Sequence, residues 1–436
     1  AIRRYDKETP ITTNLMGTYK GLDYFKWAKE MDIVSWDNYP RYDTPWSYTA
    51  LRNDLMRGLK DAPFMLMEQT PSQQNWQQYN SLKRPGQMRA QSYQTLARGA
   101  DTIQFFQLRR SKGACEKFHG AVIAHAGTED TRVFREVKQL GTELEKLGNA
   151  TLGAVNEAEV GIVFDWDNYW ALEYTSGPSE DLTYVDQIQQ YYQFFYDRNI
   201  AVHMIPCDAD FGRYKMVVAP VLYMVKEGVK EALERYVEQG GVLVTTYMSG
   251  IVDQSDNVYL GGYPGPLRTL AGVWVEEIDA LSPKQSNEVI FQDGTKASCG
   301  LLCELMHLEG AECLARYGQD FYRDMPAVTK NRYGDGTTYY IGTRMEEGLE
   351  KILESAVSDA QVKPVLEGTD GLEAVCRKKD GCSFYFVINF QDKALPVPPA
   401  LAGHMDMLTG ETVKAGDMLA KYDVRIVRVE DSASQE

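Results

Sequence analysis

The chain has 436 residues, 44% of them hydrophobic and 25% charged, an ordinary globular balance that allows two or three domains with sizeable cores. Its formal net charge of -16 argues against nucleic acid or an anionic membrane surface as partner. The 7 cysteines are irregularly spaced without a CxxC pair, and the 5 histidines form no metal-like cluster, which argues against a disulfide framework or a zinc site.

Strand and helix signals alternate over the first 150 residues. PITTNLMG reads as a strand and GLDYFKWAKEM, with apolar residues at helical spacing, as a helix. DIVSWDNYP is the next strand, stopped by Pro40, and TALRNDLMRGLKD the next helix. PFMLMEQTP is a third strand, followed by the helix RPGQMRAQSYQTLARGA with proline near its start and Gly99 near its end. DTIQFFQLRR and the amphipathic TRVFREVKQLGTELEKLG complete a fourth unit. Such units predict parallel strands buried on both faces, either a doubly wound sheet or part of a (β/α)₈ barrel. A barrel needs eight units, so a barrel reading has the chain beginning halfway through it.

NATLGAVNEAE reads as a linker. A second α/β domain with a parallel sheet is predicted over 151–364, from the strand VGIVF, the long helix LTYVDQIQQYYQFFYDRNI, and the strands AVHMI, KMVVAPVLYMV and VLVTTYMSG. From 365 to 436 short strands take over. EAVCRKKDGCSFYFVINF is a hairpin signature around Asp380–Gly381, predicting a small antiparallel, sandwich-like β domain ending in the solvated tail DSASQE.

Glu68 ends an apolar strand at the place where parallel sheets present functional side chains. A carboxylate there can attack an anomeric carbon, as in retaining glycoside hydrolysis; it can equally cap a helix or form an ion pair. Trp76, on the loop that follows, can stack on a sugar ring or cover the core. Trp36 and Asp37 end the preceding strand at the same end of the sheet, where Asp37 can also serve as a turn cap. Glu116 and His119, three apart, point together on one helical turn and can grip vicinal hydroxyls or form a surface pair.

The motifs ITTNLMG, DIVSWDNYP, LMEQTPSQQNW, KRPGQMR, ARGADTIQFFQLRRS and EKFHGAVIAHAG together resemble glycoside hydrolase family 42 β-galactosidases, most strongly over residues 9–148. The resemblance implies the C-terminal half of a (β/α)₈ TIM barrel, then a flavodoxin or class I amidotransferase-like α/β trimerisation domain, then the small β domain. The strand VLVTTYMSG has no cysteine, so the middle domain is expected to be an interaction platform rather than an amidase. The resemblance further implies Glu68 as catalytic nucleophile, Trp76 as a substrate contact, and Glu116 with His119 as the pair that holds galactose hydroxyls. Leu108 stands where the family usually has tryptophan, which leaves the aglycone preference open. The family's general acid/base is a glutamate of an Asn-Glu pair ahead of the ITTN strand. The pairs Asn156-Glu157 and Asn287-Glu288 lie elsewhere, so this residue and the N-terminal barrel half are expected outside the chain.

The expectation is a hydrolase that removes terminal β-D-galactose from β-galactoside oligosaccharides by a retaining double displacement, as a homotrimer, without metal or organic cofactor. The polar opening AIRRYDKETP and the absence of a membrane-length apolar run predict a cytoplasmic location and no membrane partner. The alternatives are another retaining β-glycosidase, acting on α-L-arabinopyranosides for instance, or an inactive truncated protein that binds sugar or oligomerises.

Overall fold

The structure, a computed structural model, describes residues 2–431; most of the expected solvated tail lies outside the described residues. The chain forms two compact units. The first comprises residues 1–157, 195–201 and 364–436, and the second residues 158–194 and 202–363. Where the sequence suggests three successive domains, the contacts thus join the first and last stretches in one unit.

The first unit opens with four parallel strands in the order β1-β2-β3-β4: β1 (Asn14–Leu15), β2 (Ser35–Asn38), β3 (Phe64–Gln69) and β4 (Ala100–Ile103). Between them run α1 (Tyr24–Ala28), α2 (Trp46–Gly58) and α3 (Gln87–Ala97), and α4 (Arg132–Leu147) follows. Phe64 and Leu66 of β3 are fully buried, as the apolar run requires of a strand packed on both faces. Asp23 caps α1 by accepting the Lys26 N–H, and Thr131 caps α4 by accepting that of Phe134. Glu143 of α4 accepts from Arg89 and Tyr93 of α3, at 2.7 and 2.9 Å, pinning the two helices together. β2 and β3 pair through a register shift after Trp36 that sets Asp37 opposite Glu68.

The second unit carries the parallel strands β5 (Val160–Val163), β6 (Val202–Ile205), β7 (Met216–Ala219) and β8 (Val242–Thr246), every residue of which is buried. The sheet then turns antiparallel through β9 (Val273–Ala280), β10 (Asn287–Phe291), β11 (Lys296–Leu308), β12 (Glu312–Tyr317) and β13 (Pro326–Tyr333). β14 (Gly336–Ile341) returns parallel to β8, and β15 (Thr343–Met345) pairs with β11. The expected parallel sheet therefore covers only part of this unit. Strands β9 to β12 mix buried and exposed positions, the mark of a sheet with one wetter face.

The closing part of the first unit is antiparallel. β16 (Glu373–Lys379) and β17 (Cys382–Ile388) form the expected hairpin, with Asp380 and Gly381 at φ 50° and 72°, both left-handed as a type I′ turn demands. Two ion pairs tie this hairpin to the end of α3 and to β4. Glu373 accepts from Arg98 at 2.8 Å, and Arg377 reaches Asp101 at 2.8 Å while donating to the carbonyls of Leu96, Ala100 and Ala154. Nearly every donor of the Arg377 guanidinium is satisfied, which is what permits a charge with no exposed surface.

Candidate active site

The carboxyl ends of β1, β2 and β3 bring together side chains far apart in sequence. Glu68 Oε2 accepts the Tyr39 hydroxyl at 2.8 Å, and Glu68 Oε1 accepts from Asn14 Nδ2 at 3.2 Å. The same Asn14 amide donates to both oxygens of Asp37, at 2.9 and 3.2 Å. Glu68 makes no ion pair among the described residues, so the alternative of a structural salt bridge does not hold. Asp37 caps no helix either; its partner is the Asn14 side chain.

Burial, and then the charge of Glu68, push the Asp37 carboxyl up to about 7. Burial, reinforced by the hydrogen bond to Glu68, holds the Tyr39 phenol far above its ordinary range. Tyr39 is therefore a fixed proton donor that orients Oε2 of Glu68, while the Asn14 amide holds Oε1.

The wall opposite is built by two loops laced together. Gly120 N–H donates to the Gln73 carbonyl at 2.8 Å, Gln73 Nε2 to the Phe118 carbonyl at 3.1 Å, and Asn75 Nδ2 to the Cys115 carbonyl at 2.7 Å. A β-carbon on Gly120 would lie 2.6 Å from Thr70 Oγ1 and 2.8 Å from the Gln73 carbonyl oxygen, so only glycine allows this approach. The lacing sets Trp76 over His119, ring centroids 5.2 Å apart and planes 29° from parallel. Tyr39 meets both rings edge-on, at 4.9 Å from Trp76 and 5.8 Å from His119.

His119 is wholly buried; its Nδ1 lies 2.9 Å from the Gly120 carbonyl and its Nε2 has no partner. A buried ring nitrogen without a partner is a place for a ligand hydroxyl. Glu116 sits on the 3₁₀ turn Cys115–Phe118 whose carbonyl accepts the His119 N–H, and its charge is felt at Tyr39. Trp76 is 53% exposed, which leaves ring surface for stacking. Trp36 is 1% exposed, with an unpartnered indole nitrogen, so it offers a sugar no open face. Leu108 is 67% exposed.

Tyr39 and Asn14 were not singled out from the sequence. Tyr39 lies two residues beyond Asp37, on the same side of an extended chain, and that period-two spacing is its only local signal. The two Asn-Glu pairs are structural: Asn156 Nδ2 donates to the Ala97 and Cys376 carbonyls, Glu157 pairs with Lys378, and Glu288 with Lys296.

Three family models match the chain in succession: "Beta-galactosidase" over residues 1–147, "Beta-galactosidase trimerisation domain" over 158–363 and "Beta-galactosidase C-terminal domain" over 371–429. A β-galactosidase of Planococcus sp. (strain 'SOS Orange') is 52% identical over 435 residues, and one of Lactobacillus acidophilus 50% identical over 430; each match covers 98% of this chain and 64% of the relative. The crystal structure of a β-galactosidase from Bacillus circulans sp. alkalophilus superposes with a TM-score of 0.95 at 51% identity, over 98% of this chain and 64% of that one. A glycoside hydrolase family 42 β-galactosidase, Gan42B, does so with 0.93 at 38% identity, over 98% and 65%. The chain thus spans a little under two thirds of the relatives it matches, and along that span it belongs to glycoside hydrolase family 42.

Proposed function

We propose that this chain provides the nucleophile and galactose-binding side of a retaining β-galactosidase. The observation that carries the reading is Glu68, a strand-end carboxylate held by a tyrosine and an asparagine rather than neutralised by a cation. Glu68 attacks the anomeric carbon; the C1–O bond to the leaving sugar breaks and a galactosyl ester forms. Water then cleaves the ester, returning the carboxylate and releasing galactose with its configuration retained. Trp76 packs on the apolar face of the galactose ring, while Glu116 and His119 Nε2 hold its hydroxyls. Asp37 takes a further hydroxyl, and Trp36 supports the site from the core.

The general acid/base is assigned to no residue of 1–436; in a retaining enzyme its carboxyl lies roughly 5–5.5 Å from the nucleophile's. The four parallel strands are read as half of a (β/α)₈ barrel, followed by a trimerisation domain over 151–364 and a β domain over 365–436. The name of the matching middle model supports a homotrimer. No helix among the described residues is long and apolar enough to cross a membrane, and a cytoplasmic site of action remains our reading.

Azide rescue tests the assignment. Glu68→Gly abolishes hydrolysis of an activated aryl galactoside, and added azide restores turnover by occupying the vacated space, giving the α-galactosyl azide. A variant that stays active without azide removes Glu68 from the role. Comparing kcat/KM on nitrophenyl galactoside and arabinopyranoside decides the sugar; a preference for the latter rejects the galactosidase reading.

A further inference from the structure

A second polar site lies beside the first, and it does not depend on Glu68. The loops that follow β2 and β3, together with Tyr422 of the antiparallel part, line an open cavity of about 230 Å³. Lys83 lines it and is only 7% exposed. Its ammonium donates to the Thr70 carbonyl at 2.6 Å and pairs with no carboxylate among the described residues. An ammonium has three donors, so two remain to be used. Burying a charge in this way is unfavourable unless something compensates it, and burial alone pushes Lys83 down to about 7.

Two further polar atoms in the same wall lack partners. Ser72 Oγ and Gln91 Oε1 both belong to side chains 3% exposed, and neither makes a hydrogen bond. Arg41 and Arg84 add two guanidinium groups to the lining, and no aspartate or glutamate is part of it. In a chain of net charge -16, a pocket lined by three cations and no acid is a local reversal of sign. Arg41 is partly answered by Asp43, at 3.1 Å; Lys83 is not.

We infer that this cavity binds a small oxyanion of the phosphate, sulfate or carboxylate class, held by the Lys83 ammonium and the Ser72 hydroxyl. The amide of Gln91 completes the set, since its end can turn to donate to an anion oxygen or accept from a protonated one. Two spare ammonium N–H donors and an unpartnered hydroxyl, on residues that line one cavity, match tetrahedral or planar oxyanion acceptors.

Calorimetric titration with inorganic sulfate at constant ionic strength tests this. Saturable binding of one sulfate per chain is expected, weakened at least about tenfold in Lys83→Met, the loss expected for a charge-assisted hydrogen bond. Glu68→Gln should bind sulfate as the parent does, so failure of the catalytic assignment would leave this result standing. Lys83→Met removes an unpaired buried charge, so its melting temperature should hold or rise. Ser72→Ala gives a second, smaller loss of affinity if the first variant does not fold. Absence of saturable binding, or equal binding by Lys83→Met, would overturn the inference. So would Lys83-dependent binding of neutral galactose in place of sulfate, which would make the cavity a sugar subsite.

Discussion

Tyr39 aims Glu68 through one hydroxyl, so removing that oxygen tests the arrangement without emptying the site. Tyr39→Phe is expected to lower kcat/KM about 10- to 100-fold, chiefly through kcat, since one charge-assisted hydrogen bond to the attacking carboxylate is lost. A change confined to KM would show that Tyr39 only fills space. If Trp76 stacks on the sugar as proposed, Trp76→Ala should raise KM several-fold while changing kcat less, because stacking would hold the ground state and the transition state alike. The strand-end position drew Glu68 out of the sequence only as one candidate, since such an acid can also cap a helix or form an ion pair; the resemblance of LMEQTPSQQNW is what proposes it as nucleophile. Tyr39 and Asn14 were not legible there, because their meeting with Glu68 is set by strand register, which local patterns do not encode. Trp36 illustrates the opposite difficulty. Its strand-end position looks available, yet the side chain points into the core.

At the scale of elements, the wall opposite Glu68 depends on two loops meeting at Gly120. Gly120→Ala should lower both the melting temperature and activity, by roughly 1–3 kcal/mol of overpacking strain. An unchanged melting curve would mean that the loops part at no cost. In the second unit, Glu304 of β11 is fully buried, accepting from Met248 N–H and the Tyr340 hydroxyl at 2.8 Å each. Burial pushes its carboxyl up to about 7 from the ordinary 4.5. The folded value exceeds the unfolded one, so its contribution is complete below about 4.5 and is lost as pH rises towards 7. Glu304→Gln should therefore gain stability relative to the parent across that window, measured by denaturant midpoints against pH; a constant difference would refute the buried-proton account. The four β/α units of the first sheet were readable because each apolar strand and punctuated helix is local. The antiparallel extension was missed although Gly294 and Gly310, both at positive φ, mark the turns between β10 and β11 and between β11 and β12; which strands then pair is decided by register, which those turns do not encode.

For the whole molecule, composition excluded more than it identified, and the order of several motifs carried the family where no single residue could. The grouping of first and last stretches in one unit was invisible in the sequence because it rests on Arg98–Glu373 and Arg377–Asp101, pairs separated by 275 and 276 positions. Sedimentation should show a trimer, following the middle segment's resemblance; a strictly monomeric chain would count against that part of the reading. Covalent labelling identifies the nucleophile. A galactoside fluorinated beside the anomeric carbon and carrying a dinitrophenyl leaving group needs little acid assistance to react, and its covalent intermediate is slow to hydrolyse. After digestion and mass spectrometry, one fluorogalactosyl ester is expected, on the peptide that contains Glu68. A label on any other carboxylate, or a protein labelled equally well as Glu68→Gln, would contradict the Glu68 assignment.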